Sequence, residues 1–387
     1  MLPEIAIVGG GPSGLALAGI LEQYGIDYVV YERSREDVPP RGGCLDIHRS
    51  SGQVVLKEAG CFEEFKKYAR GGYATIHWLW DYEGNKLFPF GEGRDSPEID
   101  RAQLKRVLLS SVPKHKIRWS AGVQSSSRNE NGEVQLNFTD GTTTSGFKLV
   151  VGADGLRSKI RHLVTAAEPQ YAGMVFLTLF VRPSNSYHAD LEQLAGQGPM
   201  IVTGKRKKIW IQRQGDSHYR VDFGWLGPED FPVNGEVDLS DEQAVKKYLL
   251  RDEHFGRHMP LVHDLINASE GPFRTWPLYY FPTEHLNWQP APGATLIGDA
   301  AHVTTPFVGD GVNFAMRDSL ILAQKLKQFG VSSQAVAEYE KEMFPYAIDV
   351  ITRSVASGEL FFAEDSPKGF MKMMASDKPL FRFELDY

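Results

Sequence analysis

Apolar residues open the chain as an unbroken block. Ile5 to Val8 leads into the turn GGGPSG, then a helical stretch from Leu15 to Tyr24, then a second apolar run from Tyr28 to Tyr31 that ends on Glu32. A strand apolar on both faces is covered on both sides, so strand, helix and second strand predict a βαβ unit and a parallel sheet. Residues 53–70 carry Val54, Val55, Leu56, Ala59 and Phe65 at helical spacing. The texture then changes: between Tyr73 and Phe90, IHWLW and KLFPF flank the turn EGN, which predicts a hairpin. Residues 100–112 return to helix with Asp100 as the N-cap candidate, and alternating strands with the turns NENGE and TDGTT run to Val151. Strand patterns dominate 174–225, helices are predicted over 241–250 and 254–266, PFRTWPLYYF is one more strand, and a long helical region spans 313–357. Strands that break off and resume predict one discontinuous domain interrupted by insertions.

Glycine explains where chemistry can sit. The chain has 38 glycines in 387 residues, above the usual share of about 7%. Gly9, Gly11 and Gly14 form GxGxxG between a strand and a helix. Gly9 allows the tight turn, Gly11 lets a pyrophosphate approach the backbone, and Gly14 lets helix and strand pack closely. The unpaired N–H groups and dipole of the helix N-terminus favour that anion, and Glu32, 18 residues after Gly14, is placed to bind a ribose hydroxyl. Two further turns follow buried strands. One is LVVGADGLRSKIR at 149–161, with Asp154; the other is ATLIGDAAHVTTPFVGDGVNFAM at 294–316, with Gly298 and Asp299. Both put an Asp at the carboxyl end of a strand, where ligands of open α/β sheets bind.

With 42 Lys plus Arg against 49 Asp plus Glu, the net charge is −7, and the absence of a long basic face excludes nucleic acid as the main partner. Two cysteines, Cys44 and Cys61, make neither a disulfide framework nor a zinc site, so no metal is expected. No stretch of about 18 apolar residues occurs and the N-terminus has no basic leader, so a cytoplasmic protein without membrane contact is expected. A monomer is also expected, although nothing in the sequence fixes the oligomeric state.

The three turns together resemble the flavoprotein aromatic hydroxylases, the group A FAD monooxygenases of the para-hydroxybenzoate hydroxylase fold, over nearly the whole chain. The likeness is strongest to the tetracycline destructases, through RGGCLDIHRSSGQ at 41–53 and the motif at 298–313. Thr305 and Asp310 depart from that subgroup, which commonly has Pro and Gln there. The fold class implied is α/β: a Rossmann-like FAD-binding domain (1–72, 99–172 and 280–345), an inserted mixed β-sheet substrate domain (73–98 and 173–279), and a C-terminal bridging helix and tail (346–387). The resemblance implies that FAD is held by Gly9, Gly11, Pro12, Ser13, Gly14, Glu32 and Arg33, by Arg101 near its phosphates, and by Asp154, Gly298 and Asp299. Arg41 and Asp46 would lie over the isoalloxazine, with Pro306, Gly309, Gly311, Val312 and Asn313 beside it. NADPH would dock transiently in the same cleft, since there is no second GxGxxG, and O2 would form a flavin C4a-hydroperoxide. No side chain is nominated as catalytic, because the flavin carries the chemistry.

The implied substrate is a polycyclic phenolic or enolic small molecule, with tetracyclines the first to try. Candidate contacts are Pro306, Phe307 and Gly309, Arg213, which a solvated sheet edge explains as readily, and Phe223 and Trp225 from the aromatic face of YRVDFGWL, a face read first as core and second as the floor of a pocket; its other face carries Arg220 and Asp222. Asp310 is read first as the cap of the following helix and second as a charge beside the flavin. His302 is read as a structural hydrogen-bonder, Lys205 to Lys208 as a solvated hairpin turn, and KGFMKMM as a cover for the pocket or the interdomain seam. Two rival functions remain: a hydroxylase of an endogenous aromatic metabolite, and a non-redox binding protein on the same scaffold, as in the GDP-dissociation inhibitors.

Overall fold

The computed structural model describes residues 2–233, 235–376 and 380. Strand Ile5–Val8, with no residue more than 3% exposed, is the centre of a five-stranded parallel sheet. It pairs with Tyr28–Tyr31 on one side and Leu149–Gly152 on the other, and Ile117–Arg118 and Ala294–Leu296 form the edges. Helix Pro12–Tyr24 begins with proline, whose missing N–H is no loss there, and stops at Gly25 in the left-handed region. It packs against helix Gly311–Phe329, so the first and last thirds of the chain share one core.

A seven-stranded mixed sheet forms the second layer system. Its order is Glu270–Tyr280, Gln170–Val181, Tyr219–Leu226, Lys207–Arg213, Met200–Gly204, His77–Asp81, Lys86–Phe90. Only the pairing of Met200–Gly204 with His77–Asp81 is parallel. The side-chain period of two divides this sheet sharply. One face packs Val175, Ile209, Ile211, Val221, Phe223 and Trp225 with residues of helices Glu242–Leu249 and Pro260–Ala268. The opposite face carries Phe176 and Ile201 into a cluster with Phe307, Phe361, Phe362 and Phe370. A three-stranded antiparallel sheet, from Val123–Arg128 to Thr143–Thr144, packs beside the parallel sheet, with Phe138 against Tyr31 (centroids 4.9 Å).

Several local expectations change. The helix over 53–70 is two pieces, Gly52–Glu58 and Phe62–Lys66, because Gly60 adopts φ 72 and resets the chain direction. Asp100 stands at the N-cap position, but its carboxylate accepts from Arg70 (2.8 Å) and from the N–H of Gly215 (2.9 Å) instead of its own helix. The second helix of the 241–266 region starts only at Pro260, and helix His188–Ala195 interrupts the strand-rich stretch. Helix Ser333–Phe361 runs 29 residues through Pro345 and is followed by helix Lys368–Met374. Beyond Ser376 the expected tail lies outside the described residues, Leu380 apart. Among the described residues, no helix is long and apolar enough to cross a membrane, and no His, Cys, Asp and Glu cluster could hold a metal ion.

Candidate functional site

The glycine turn is dictated by backbone contact. A Cβ on Gly9, which has φ 116, would lie 2.2 Å from the Ala153 carbonyl oxygen, and one on Gly14 would lie 2.0 Å from the Gly9 carbonyl oxygen. Gly11 differs: a Cβ there would meet nothing within 4 Å, so space is open before the helix N-terminus. That terminus has no side-chain cap and no acidic residue in its first turn, and its N–H groups and dipole favour an anion. Glu32 accepts from Gly10 N–H (2.7 Å) and Ser34 N–H (2.8 Å), which pins its carboxylate at the rim of the turn. Pro12 is half-buried, Arg33 is exposed, and buried Ser13 accepts the Ser319 hydroxyl on its carbonyl (2.7 Å).

The two Asp turns are tied to each other. Asp154 accepts the Ser158 hydroxyl and Lys159 N–H, both at 2.6 Å, so its carboxylate closes its own turn, and burial raises its pKa against those bonds. Arg161, 1% exposed, donates to the carbonyls of Leu156 (2.8 Å) and Ala300 (2.9 Å), clamping one turn to the other. Gly298, at φ 60, donates its N–H to Asp318 (2.6 Å), which also accepts from His302 (2.7 Å) and the Tyr346 hydroxyl. His302 is thus a structural hydrogen-bonder. Asp299 stays open to water although protein crowds its carboxyl; that desolvation raises its pKa against the opposing pull of His302, Arg101 and Arg161. The Arg101 Nε has no hydrogen-bond partner among the described residues, and desolvation, reinforced by Arg220 and countered by Asp299, lowers its pKa.

The 41–53 loop meets the start of helix Gly311–Phe329. Asn313 donates to the Asp46 carbonyl and accepts His48 N–H, both at 2.8 Å. His48 bonds the Asp46 carboxylate (2.8 Å) and lies 3.5 Å from Asp310. Burial alone would raise the Asp46 pKa, but His48 and Arg94 outweigh it; for His48 the pull of Asp46 and Asp310 outweighs burial, and its pKa rises. Gly309 has φ 77, and a Cβ there would lie 3.2 Å from the Asp46 carboxylate. Gly311 and Val312 are half-buried, Pro306 is exposed, and Arg41 is exposed. The cap reading of Asp310 fails. Its carbonyl accepts the Phe314 N–H (3.0 Å), but its side chain makes no bond to the helix, and the carboxylate, 1% exposed, is instead paired with Arg353 at 2.8 Å because that buried cation reaches it from helix Ser333–Phe361.

The structure separates the candidate substrate contacts. Phe307, 1% exposed, joins Phe176 (centroids 6.3 Å apart) and Phe361 (6.1 Å) on the sheet face opposite the helix-covered one. Phe223 and Trp225 lie on the other face, packed edge-on against Phe255 (4.8 Å) and Phe231 (5.0 Å) in the core beneath the helices. Arg213 shares that side, bonded to Glu192 (3.1 Å) and Ser217 (3.0 Å). None of these three meets Phe307. The core reading of this face of Tyr219–Leu226 holds and the pocket reading does not, whereas alternation sets Arg220 and Asp222 apart on the other face. Arg220 grips Asp222 through two bonds (2.8 and 3.0 Å), stands 5.7 Å from the Trp276 ring, and meets Thr178, which also accepts from the Trp276 indole (3.0 Å). Trp276 in turn stacks on Phe176 at 4.8 Å. The basic run divides as well: Lys205 and Arg206 form an exposed turn at φ 53 and 58, but Lys208 is 1% exposed.

Known proteins place this arrangement. The family model described as "FAD binding domain" matches residues 3–195 and 274–354. Monooxygenase asqM of Emericella nidulans is 28% identical, with 96% of this chain and 98% of that protein aligned. An FAD-dependent urate hydroxylase of Mycolicibacterium vanbaalenii is 26% identical over 94% of this chain and 89% of its own. Among solved folds, tetracycline destructase Tet(51) superposes with a TM-score of 0.70 at 20% identity, covering 97% of this chain and 96% of its own. Matched over well more than half its length, the chain belongs to the FAD binding domain family, in the company of FAD-dependent monooxygenases.

Proposed function

We propose that this protein uses FAD, NADPH and O2 to hydroxylate a phenolic or enolic ring compound, with tetracycline-type molecules the first candidates. One observation carries the reading: open space lies before the uncapped helix N-terminus at Gly11, which suits the anionic pyrophosphate of a dinucleotide, while Gly298 of the Asp299 turn packs on Ser13 of the same helix, and Arg101, whose Nε has no partner among the described residues, feels the Asp299 charge. FAD fits these residues. Gly9 to Gly14 would hold the pyrophosphate, Glu32 the adenosine ribose, Arg101 a phosphate oxygen, and Asp299 the ribityl or pyrophosphate region. Asp46 and the segment from Gly309 to Asn313 would border the flavin ring. Asp154 acts through its turn, which abuts Gly9.

Bound FAD would supply hydride acceptance from NADPH and activation of O2. The chain's own residues do the rest. Half-buried Trp276, backed by Phe176 and Phe307, would border a planar substrate, and the Arg220–Asp222 pair offers polar orientation beside it. The buried aromatic cluster with Phe361 and Phe362 excludes water.

A second substrate class has its own support. Relatives aligned over nearly the whole chain include a 3-amino-4-hydroxybenzoate 2-monooxygenase of Streptomyces cremeus, 28% identical over 94% of this chain and 89% of its own. Such likeness favours an endogenous aromatic metabolite. The test is NADPH oxidation with mass spectrometry of tetracycline, 3-amino-4-hydroxybenzoate and urate after incubation with enzyme, NADPH and O2. One added oxygen identifies the class. A yellow protein whose NADPH oxidation none of them stimulates refutes the substrate reading, and a colourless protein refutes the cofactor.

A further inference from the structure

Strand Lys207–Arg213 turns Lys208, Trp210 and Gln212 away from the helix-covered core. Lys208 is 1% exposed, and its Nζ has no hydrogen-bond partner among the described residues. Three rings surround it: Phe361 at 3.7 Å, Trp210 at 4.6 Å and Phe307 at 4.9 Å from amine to centroid. Ring faces attract an ammonium but supply no acceptor atom, so its buried charge is left largely uncompensated. Thr203, opposite Lys208 in the strand pair, bonds the Phe361 carbonyl (2.8 Å) and the Ser366 hydroxyl (2.9 Å). Burial holds the Lys208 pKa well below the usual lysine range, with no carboxylate opposing it, and the neighbouring His77 is held neutral, its pKa lowered to about 3. A methionine would fill the same space without a buried amine.

We propose that Lys208 is the oxygen anchor of the substrate: its buried, unpartnered amine takes the proton of a phenolic or enolic hydroxyl and holds the anion so formed. In this step the O–H bond breaks, an N–H bond forms, and an ammonium–oxyanion pair results with no change of oxidation state. Phe307, Trp210 and Phe361 then bracket the attached ring. Ionisation enriches the ring in electrons at the carbons that an electrophilic oxygen attacks, so the anchor selects acidic phenols and enols over their ethers. This rests on the hydroxylase reading above and names the chemistry its substrate must have. Phe370 of helix Lys368–Met374 stacks on Phe361 at 4.4 Å, so a ligand reaches Lys208 by displacing this cover.

The test uses the FAD-loaded protein and para-nitrophenol, whose phenol and phenolate absorb differently, with para-nitroanisole as the ether that cannot ionise. Wild type is expected to bind para-nitrophenol and develop phenolate absorbance at a pH where the free phenol is largely neutral, and to bind the ether about tenfold or more weakly. Lys208→Met is expected to lose the phenolate signal and about tenfold or more in para-nitrophenol affinity, with FAD content and ether affinity unchanged. Lys208→Gln, which keeps a donor but cannot take the proton, is expected to bind para-nitrophenol without the phenolate signal. An unchanged signal in Lys208→Met, or FAD-loaded wild type that binds no para-nitrophenol, overturns the inference. Lys208-dependent phenolate binding by a protein that contains no FAD would overturn the monooxygenase reading and leave the anchor standing.

Discussion

Replacing Asp318 with Asn probes the pin that holds the Gly298–Asp299 turn. Asp318 is 0% exposed and accepts three hydrogen bonds, from Gly298 N–H, His302 and Tyr346. The amide keeps the shape but removes the charge, and one of its two polar ends becomes a donor facing donors. Breaking a buried ion pair by removing one partner costs about 3–5 kcal/mol. At roughly 2.1 cal/mol/K per residue, the unfolding entropy of 387 residues is about 0.8 kcal/mol/K, so a loss of about 4 kcal/mol lowers Tm by about 5 °C. The effect has a pH signature. Burial pulls the His302 pKa down, but Asp318 and Asp299 outweigh it and the folded value is raised. A raised pKa contributes stability that is fully present below the unfolded value of about 6.5 and is lost as pH rises through the folded one. The wild-type advantage over Asp318→Asn is therefore largest on the acid side and shrinks at alkaline pH. Thermal unfolding followed by flavin fluorescence and circular dichroism across that range reads both quantities. A variant that melts within a degree of wild type at every pH and keeps its flavin refutes the assignment.

Other positions give sharper yes-or-no outcomes. Gly14→Ala puts a methyl group 2.0 Å from the Gly9 carbonyl oxygen and is expected to yield colourless protein, read by flavin absorbance. Gly11→Ala meets no protein atom within 4 Å, so its Tm without FAD is expected to be unchanged while FAD affinity falls about tenfold; equal loss of both would contradict the open phosphate space. Trp225→Ala empties a core site, with an expected cost of about 3–5 kcal/mol in urea unfolding and no change in substrate KM. Arg353→Met leaves buried Asp310 without its 2.8 Å partner and is expected to cost about 3–5 kcal/mol, much of it recovered in the Asp310→Asn/Arg353→Met double variant. Strict additivity of the two would show that the pair is not coupled.

Much of this protein was legible as pattern. The uninterrupted apolar strand, the glycine spacing and the acidic residue at the end of the next strand identified a dinucleotide turn before any coordinate, because GxGxxG answers to contacts a few residues away. Gly14 meets Gly9 across one turn, and Glu32 meets Gly10 and Ser34. The hairpin at 77–90 and the long C-terminal helical region were equally local. Where pairing is long-range, the pattern left the choice open. Alternation divides Tyr219–Leu226 into two faces without saying which one helices cover, so it leaves Phe223 and Trp225 open between core and pocket and gives Arg220 no role. Asp310 had the position of a cap, yet a residue 43 positions away claimed its carboxylate. Lys208 read as one charge in a solvated run, and only the approach of Phe307 and Phe361, which lie 99 and 153 positions further on, buried it. The sequence by itself thus determined most of the elements and the tight glycine turn, whose physics is backbone sterics and local hydrogen bonding. Tertiary structure alone decided which faces enclose the site, because burial and charge pairing depend on neighbours that the chain brings in from far away.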